Sequence, residues 1–591
     1  PRPSNNWPFA MNETHASSQK AEPFSAANAV AAGIDFAELQ VGAQGLFWNE
    51  YRPEDAACRI WHWRDGVAHC LTPPPFSVRS RVYEYGGGAF CLTGDGVVFV
   101  NEADQQLYRQ SLQGETPQLL TSGLCRYGDL HFAHGQVLAV EENRNEHRLV
   151  AIDLADGTRH LLAEGADFYA APTLSPDGQR LAWIEWSRPD QPWTATRLMV
   201  AHRQADGSYA SPFCVAGDQS QESLQQPRFD SNGHLYCLTD RAGYWQPWVE
   251  SADGLKPLPC AAADHGPAPW QLGGCTWLPL SEGSYLASWT EGGFGRLGLC
   301  ATGCDDFTGD YSRFRHLALD ERFIYCIAAS PVSSAAVIAI DRQTRQVKVL
   351  AGGIAPLPAE QISRPQTLRY PSGSSEAHGF FYPAMTSDAR PPLVVFIHGG
   401  PTSACYPMLD PRIPYWAQRG FAVADLNYRG SSGYGRAYRQ ALHLRWGEVD
   451  VEDACAVVSH LADRGMIDGD KAFIRGGSAG GYTALCALAF HQVFRAGASL
   501  YGVSDPVALG RATHKFEGDY LDWLIGDPQQ DAERYAARTP LLHASNIHVP
   551  VIFFQGELDA VVVPQQTRDM VEALQHNGIL VEAHYYADER H

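Results

Sequence analysis

The front half of the chain consists of short stretches of alternating apolar and polar residues that are separated by turn residues. This unit recurs seven times between about residue 45 and residue 350, at intervals of roughly 40 to 50 residues. Turn sequences such as Thr93-Gly94-Asp95-Gly96 and Asp230-Ser231-Asn232-Gly233 follow the first strand of their units, as hairpins between antiparallel strands require. The pattern predicts a seven-bladed β-propeller, and a pair of β-sandwiches is the alternative.

The rest of the chain changes to apolar strands that alternate with helices. Residues 392–397 are a continuous apolar strand, and from 451 to 462 apolar and small residues recur at helical spacing. This order predicts a mainly parallel sheet with helices on both faces. We therefore divide the chain into an N-terminal segment at 1–44 that packs on the second domain, a β-propeller at 45–352 and an α/β domain at 353–591.

Charge and cysteine content restrict the partners. The 591 residues include 66 acidic and 45 basic ones, a net charge of −21, which disfavours nucleic acid and anionic lipid surfaces. No apolar run approaches the roughly 18 residues of a membrane span, so we predict a soluble, cytoplasmic protein without a membrane partner. The 14 cysteines contain no Cys-x-x-Cys pair and no zinc-type spacing, which predicts mostly reduced thiols, no metal site and no cofactor.

A serine motif stands where a strand meets a helix. Gly476-Gly477-Ser478-Ala479-Gly480-Gly481-Tyr482 follows the apolar residues 472–474 and precedes a run of small residues at 483–489. Glycines on both sides of Ser478 allow the sharp turn of a nucleophile elbow, which holds the serine hydroxyl exposed in an α/β-hydrolase. A Gly/Ser-rich loop that closes a strand is the plainer interpretation, because the pentapeptide alone recurs by chance.

Partners for this serine are expected at the ends of later strands. A serine hydroxyl needs a histidine to accept its proton and a carboxylate to orient that histidine, and in α/β-hydrolases the chain order is Ser, acid, His. Asp559 and His591 each follow an apolar strand in that order, so we predict them as the partners of Ser478. Because His591 ends the sequence, we expect the natural chain to continue into a C-terminal helix. The rivals nearby are Glu557, Asp588, His584, His543 and His548.

Two backbone donors are needed to stabilise the oxyanion of an acyl-transfer reaction. One is the N–H of the residue that follows the nucleophile, which is Ala479. The second is expected in His398-Gly399-Gly400-Pro401, directly after a strand, with Gly400 as the first choice and Gly399 as the second. A simple Gly-Pro turn is the alternative interpretation of this tetrapeptide.

Together these motifs resemble those of the prolyl oligopeptidase family of serine peptidases, in particular its acylaminoacyl-peptidase and dipeptidyl-aminopeptidase branch. The front half is similar to bacterial aminopeptidase members at 48–54 and 81–88. Ala560 departs from the pattern, because many relatives carry a second acid after the catalytic one. The matching stretches of the second half are His398 to Pro401, Asn427 to Gly435, Gly476 to Tyr482, Gly556 to Asp559, Val563-Pro564 and Asp588 to His591.

The resemblance implies a seven-bladed β-propeller that covers an α/β-hydrolase active site and restricts substrates to short peptides or aminoacyl amides. We accordingly predict an aminopeptidase, dipeptidyl-peptidase or acylaminoacyl-peptidase that forms an acyl-enzyme. Glu84 and Glu517 are candidates for binding a substrate ammonium, although such carboxylates are more often structural or solvated. The candidates for the first side-chain pocket are Phe516, Tyr520, Trp523 and Tyr482.

Two other functions stay open at this point. One is a carboxylesterase or a specialised amidase that acts on a small aminoacylated compound. The other is a binding protein whose propeller recruits a partner while the hydrolase half is inert, and the complete set of Ser, Asp and His argues against it. The number of subunits also stays open, and a homo-oligomer is included.

Overall fold

The front domain is a ring of seven four-stranded antiparallel sheets, and each sheet is built from four consecutive strands. The structure is a computed structural model, which describes residues 23–219 and 221–591. The first strand of every sheet lines a central cavity. Four of these first strands contain a bulge beside a residue in left-handed conformation. The predicted seven-bladed β-propeller is confirmed.

The 28 strands of the ring follow one another along the chain, four to a blade. They are β1 (Asp35–Gly42), β2 (Gly45–Arg52), β3 (Ala57–Arg64), β4 (Val67–Cys70), β5 (Phe90–Leu92), β6 (Gly96–Val100), β7 (Leu107–Ser111), β8 (Gln118–Leu119), β9 (Arg126–Ala133), β10 (Gln136–Asn143), β11 (Glu146–Asp153), β12 (Arg159–Ala163), β13 (Phe168–Leu174), β14 (Arg180–Trp186), β15 (Arg197–His202), β16 (Phe213–Ala216), β17 (Leu224–Phe229), β18 (Leu235–Thr239), β19 (Gln246–Ser251), β20 (Gly254–Pro257), β21 (Trp277–Pro279), β22 (Tyr285–Glu291), β23 (Phe294–Cys300), β24 (Cys304–Asp306), β25 (Arg313–Leu319), β26 (Phe323–Ala329), β27 (Ala336–Asp341) and β28 (Val347–Gly352). Cys300 and Cys304 form a disulfide between β23 and β24, and the other twelve cysteines are free, in line with the prediction of mostly reduced thiols.

The predicted boundary between residues 44 and 45 is wrong, because it divides the first blade. β1 pairs with β2, so residues 35–42 belong to the ring and not to a separate segment on the second domain. A bulge between Phe36 and Glu38 interrupts the apolar alternation of β1, and Glu38 is itself buried. Before β1, the amide of Phe24 donates to the side chain of Gln418 in the second domain at 2.7 Å. The rest of the predicted N-terminal segment, residues 1–22, lies outside the described residues.

The second domain is an eight-stranded sheet in the order β29-β30-β32-β31-β33-β34-β35-β36. β29 pairs antiparallel with β30, and β30 pairs antiparallel with β32. The other six strands, β31 to β36, run parallel to one another. Parallel strands gather their carboxyl ends at one edge of the sheet, which is where a site can be assembled from distant segments. This is the predicted α/β-hydrolase domain.

The helices of the second domain cover the faces of this sheet. Of these helices, α4 and α5 bury the most residues. The strands are β29 (Gln366–Ser372), β30 (Ser375–Tyr382), β31 (Leu393–Ile397), β32 (Ala422–Asn427), β33 (Ala472–Gly477), β34 (Gly497–Leu500), β35 (Val551–Gly556) and β36 (Val581–Tyr586). The α-helices among the residues that the structure describes are α1 (Ala26–Ala29), α2 (Arg412–Gln418), α3 (Arg436–Gln440), α4 (Val449–Asp463), α5 (Ala479–Phe490), α6 (Pro506–Arg511), α7 (Tyr520–Leu524), α8 (Ala532–Ala537) and α9 (Pro564–His576). Within the described ranges, no helix combines the length and the apolar character that a bilayer crossing demands.

Buried and exposed ion pairs join the two domains. Asp240 of the propeller accepts hydrogen bonds from Arg436 at 2.7 Å and from Arg439, and the side chains of Asp240 and Arg439 are almost completely buried. On another part of the interface, Arg188 pairs with Asp519 at 2.7 Å, and 47% of the Arg188 side chain is exposed. The propeller is therefore fixed over the carboxyl edge of the hydrolase sheet.

Candidate active site

Ser478 occupies the sharp turn between β33 and α5. Its φ of 55° and ψ of −120° are strained for a residue with a side chain, as expected at a nucleophile elbow. Two glycines make the turn possible, because a Cβ at Gly476 would lie 2.2 Å from the carbonyl oxygen of Gly480, and a Cβ at Gly480 would lie 2.1 Å from that of Ile397. The local sequence thus explains why the side chain of Ser478 projects from the turn at the end of β33.

Three side chains form a continuous hydrogen-bonded series. His591 Nε2 lies 2.8 Å from Ser478 Oγ, and His591 Nδ1 lies 2.8 Å from Asp559 Oδ2. The other carboxylate oxygen of Asp559 accepts the backbone N–H groups of Val561 and Val562, each at 2.9 Å. These two bonds fix a fully buried carboxylate, so the ring of His591 is held with one nitrogen toward the acid and the other toward the serine.

The rival acids and histidines lie elsewhere or have other partners. Glu557 forms an ion pair with Arg568 on the surface. His584 contacts Glu582, and His543 contacts the carbonyl oxygen of Ala536. None of the hydrogen bonds between described residues joins Asp588 or His548 to Ser478. The geometry therefore brings together the predicted Ser478, Asp559 and His591.

The loop 398–411 approaches Ser478 at the predicted second donor. A Cβ at Gly399 would lie 3.3 Å from the carbonyl oxygen of Gly477 and 3.5 Å from the Cβ of Ser478, so the loop passes directly beside the nucleophile. The carbonyl oxygen of Gly399 lies 2.7 Å from His398 Nδ1, which directs the N–H of Gly400 to the opposite side of their shared peptide. Ala479 begins α5, where the first backbone N–H groups of a helix have no partner within it.

His398 is a positioning residue for this loop. Burial lowers its pKa to about 4, so the ring is neutral at physiological pH. A neutral ring whose Nδ1 faces a carbonyl must carry its proton there, and Nε2 then accepts the hydroxyl of Ser431 at 2.7 Å. Tyr428 adds a hydrogen bond to the carbonyl oxygen of His398 at 2.8 Å. The motif His-Gly-Gly-Pro thus has a structural histidine in front of the two glycines.

Ser478 and His591 open into a cavity of about 1270 Å³ between the two domains. The propeller forms most of its walls through the first strands of its blades, and the hydrolase domain forms the floor. A concave site of this size, at the interface of two domains, is typical of small-molecule and peptide binding. Among the described residues, no group of three or more His, Cys, Asp or Glu side chains is arranged to hold a metal ion.

Of the two predicted ammonium ligands, Glu517 lines this cavity and Glu84 does not. Glu517 Oε2 accepts the hydroxyl of Tyr85 at 2.7 Å and lies 2.9 Å from His514 Nε2. No hydrogen bond from a described residue reaches Glu517 Oε1. Glu84 instead pairs with Arg126 at 2.9 Å in a separate pocket. The prediction for Glu84 is wrong because the backbone at that residue has a φ of 72°, and the next residue, Tyr85, lines the cavity in its place.

The predicted pocket aromatics are mainly core residues and are not part of the cavity lining. The hydroxyl of Tyr482 donates to the carbonyl of Arg538, and that of Tyr520 pairs with Thr402. Trp523 contacts His443, and Phe516 lies in an aromatic cluster behind Tyr85. The aromatic lining comes from Tyr85, Phe132, Trp186 and Trp270 of the propeller and from Tyr406 and Tyr501 of the hydrolase domain. The sequence offered no periodic signal for these residues, since they come from six separate segments.

The structure is similar over nearly its whole length to solved peptidases. A puromycin-hydrolyzing peptidase from Mycobacterium tuberculosis is 34% identical, with a TM-score of 0.90 over 97% of this chain and 93% of that one. The family model described as the prolyl oligopeptidase family matches residues 407–591. The chain belongs to the prolyl oligopeptidase family. A second structure, a puromycin hydrolase, is 31% identical with the same TM-score and the same coverage of both chains.

Curated relatives of the prolyl oligopeptidase family match a shorter part of this chain. Dipeptidyl aminopeptidase BIII of Pseudoxanthomonas mexicana is 31% identical over 35% of this chain and 31% of its own length. The acylamino-acid-releasing enzyme of Arabidopsis thaliana is 28% identical over 34% of this chain and 27% of its own length. The chain thus matches less than a third of the length of these relatives.

Proposed function

We propose that the protein is a serine peptidase that removes an N-terminal aminoacyl group from short peptides and from aminoacyl amides. The observation that carries the proposal is the series from Ser478 through His591 to Asp559, with both contacts at 2.8 Å, at the floor of the cavity between the two domains. Family membership supports it. The two similar structures described as puromycin-hydrolysing make an aminoacyl amide of a nucleoside a second substrate to test.

The reaction follows from the roles of these groups. His591 Nε2 accepts the proton of Ser478 as Oγ attacks the substrate carbonyl, and Asp559 stabilises the resulting imidazolium through Nδ1–H. The N–H groups of Ala479 and Gly400 stabilise the oxyanion. His591 then gives its proton to the leaving amine, and water hydrolyses the acyl-enzyme by the same steps in reverse order.

Glu517 supports the choice of an aminopeptidase. Its carboxylate lines the same cavity as Ser478 and keeps one oxygen without a hydrogen bond from a described residue. A substrate ammonium placed against that oxygen gains a charge-assisted hydrogen bond, whereas an N-acetyl group leaves the carboxylate desolvated and unpaired. We therefore infer that substrates with a free amino terminus are preferred to acylated ones.

Fluorophosphonate labelling tests the nucleophile. We expect the wild-type protein to be labelled at Ser478 and to hydrolyse an alanyl amide, and the Ser478→Ala variant to take up no label and to lose hydrolysis by at least about 10⁴-fold. Ser459→Ala, on the exposed side of α4, is the matched control and keeps both properties. Hydrolysis that persists in Ser478→Ala would refute the assignment.

A substrate panel tests the role of Glu517. We expect the ratio of kcat/KM for an alanyl amide over its N-acetyl derivative to fall about tenfold or more in Glu517→Gln. Glu84→Gln is the matched control, because Glu84 lies outside the cavity, and it keeps the wild-type ratio. Adding puromycin, a dipeptidyl amide and a simple ester to the panel separates an aminopeptidase from a dipeptidyl-peptidase, a specialised amidase and an esterase.

A further inference from the structure

Two arginines of the last propeller blade, two residues apart on one strand, line the active-site cavity. Arg313 and Arg315 both lie on β25, and both border the cavity that contains Ser478. The chain as a whole has a net charge of −21, so a pair of guanidinium groups on an internal wall is opposite in sign to the rest of the molecule. A cavity lined locally by one sign of charge concentrates ligands of the other sign.

Arg313 is held in a fixed position relative to the catalytic loop. Its guanidinium stacks on the ring of Tyr406, 3.7 Å from the ring centre. The preceding residue, Ser312, donates its hydroxyl to the carbonyl of Pro407 at 2.7 Å, and the amide of Leu409 donates to the carbonyl of Ser330 at 2.8 Å. Tyr406, Pro407 and Leu409 belong to the loop 398–411, which also carries Gly400. Blade seven and this loop therefore form one unit.

The donors of Arg313 are largely unused. Its one hydrogen bond to a described residue runs from Nη1 to the sulfur of Met408 at 3.5 Å, a weak acceptor, and no described carboxylate pairs with it. Among the described residues, Arg315 pairs with one exposed carboxylate, that of Asp35, at 3.2 Å. Arg412 lines the same cavity but is already paired with Asp410 through its Nε and Nη2 groups. Arg313 is thus oriented and charged, and its fork of N–H groups is available.

The three acids that line the cavity together with these arginines, Glu38, Asp129 and Glu517, each accept a hydrogen bond from a described residue. Burial raises the pKa of Glu38 to about 7, and the same effect raises the pKa of Asp129. Asp129 also accepts the backbone N–H of Ala171 at 2.6 Å, so its carboxylate is engaged. Glu517 is bonded to Tyr85 from a different segment of the wall.

We propose that Arg313, supported by Arg315, binds a carboxylate of the substrate on the leaving-group side, in the first place the C-terminal carboxylate of a short peptide. This inference rests on the proposed function, because it names the substrate class of the same site. With Glu517 at the amino terminus and Arg313 at the carboxyl terminus, the cavity selects short peptides with both termini free. A side-chain carboxylate of the substrate has the same chemistry and is the alternative source.

Matched peptides separate the two sources. The first pair is Ala-Gly-Gly with a free carboxylate and the same peptide as its C-terminal amide. The second pair consists of Ala-Gly-Glu amide and Ala-Gly-Gln amide. We expect the wild-type enzyme to hydrolyse the free acid of the first pair with a kcat/KM about tenfold or more above that of the amide, mainly through KM. A preference within the second pair instead assigns the site to a side-chain carboxylate.

Three variants locate the effect. Arg313→Gln lowers the ratio of acid over amide to about one, and Arg313→Lys, which keeps the charge but not the fork, gives an intermediate ratio. Arg322→Gln is the matched control, because Arg322 directly precedes the next strand of the same blade, β26, and lies outside the cavity. It keeps the wild-type ratio.

Binding measured without turnover makes the test independent of catalysis. In calorimetric titrations of the Ser478→Ala protein, Ala-Gly-Gly binds about tenfold or more tightly than its amide, and adding Arg313→Gln removes the difference. Equal affinities for acid and amide, or a preference that survives Arg313→Gln, would overturn the carboxylate site even if hydrolysis is normal. An enzyme that hydrolyses no peptide or aminoacyl amide contradicts the proposed function instead, while the calorimetric difference still decides on Arg313.

Discussion

The propeller and the hydrolase domain use opposite kinds of strand connection. Each blade pairs strands that follow one another in the chain, so its contacts are local. The hydrolase sheet pairs parallel strands through crossover helices, and it brings together Ser478 and His591, which are 113 residues apart. The reactive groups consequently come from the domain with long connections. The propeller contributes walls, aromatic lining and charge, as Tyr85, Trp270 and Arg313 illustrate.

The largest expected effect is a loss of kcat on substitution of Asp559, which tests whether the reactive groups come from the hydrolase domain. Asp559→Asn preserves the shape, but its amide group would donate to His591 Nδ1, so that Nε2 carries the proton and cannot accept that of Ser478. We expect kcat for an alanyl amide to fall by about 10⁴-fold. Glu557→Gln, two residues away in a surface ion pair, should change it less than about twofold. An Asp559→Asn enzyme within tenfold of the wild type would contradict this role.

The next largest effect is expected from removing an ion pair between the two domains. Asp240→Asn leaves two arginines of α3 buried or partly buried without their shared carboxylate, so the free energy of unfolding should fall by about 3 to 5 kcal/mol in denaturant titrations. Asp519→Asn removes another ion pair of the interface that is more exposed, and we expect a loss of about 0 to 1 kcal/mol. Similar losses in the two variants would argue against a distinction between the two parts of the interface.

Replacing one glycine by alanine in each domain compares how the two domains tolerate an added Cβ. Gly480→Ala forces a Cβ within 2.1 Å of a backbone oxygen at the elbow, and we expect a loss of about 3 kcal/mol in unfolding free energy together with reduced kcat. Gly233 in a propeller hairpin has a φ of 83° but open space around its Cα. Gly233→Ala should cost about 1 to 2 kcal/mol for the left-handed conformation and leave kcat unchanged. Equal effects on activity would break the comparison.

The smallest effect concerns pH and a buried propeller histidine. Burial lowers the pKa of His265 to about 4, below its ordinary value of 6.5, so the unfolded chain binds the proton first as pH falls. Stability is therefore complete above pH 6.5 and decreases as pH is lowered toward 4. Between pH 7 and pH 5 we expect the wild type to lose about 1 to 2 kcal/mol more than His265→Gln in denaturant titrations. Parallel losses would contradict this assignment.

Much of the fold and of the reactive series could be predicted because local sequence determines it. Gly476 and Gly480 are required by close contacts at the elbow, and Asp559 and His591 each follow a strand in the chain order of α/β-hydrolases. The first strand of the ring could not be predicted, since a bulge and the buried Glu38 disrupt its alternation.

The lining of the cavity depends on tertiary placement that no short pattern records. Glu84 and Tyr85 are neighbours in sequence, and the left-handed backbone at Glu84 decides which of them lines the cavity. Arg313 acquires its position from Tyr406, which is 93 residues away and in the other domain. The position of a charged residue such as Arg313 in the cavity can therefore be determined only from the structure of both domains together.

Because every blade is made from one uninterrupted stretch of chain, the first and last blades meet as two finished sheets. Side chains such as Phe36 and Leu39 of blade one pack against Ile327 and Val337 of blade seven, and no strand is exchanged between them. A ring assembled in this way is modular, so a whole blade can be gained by duplication or lost by deletion while the strand pairing within the other blades stays the same. The bore of the ring, and with it the bulk of the molecules admitted, is then open to change by the number of modules alone.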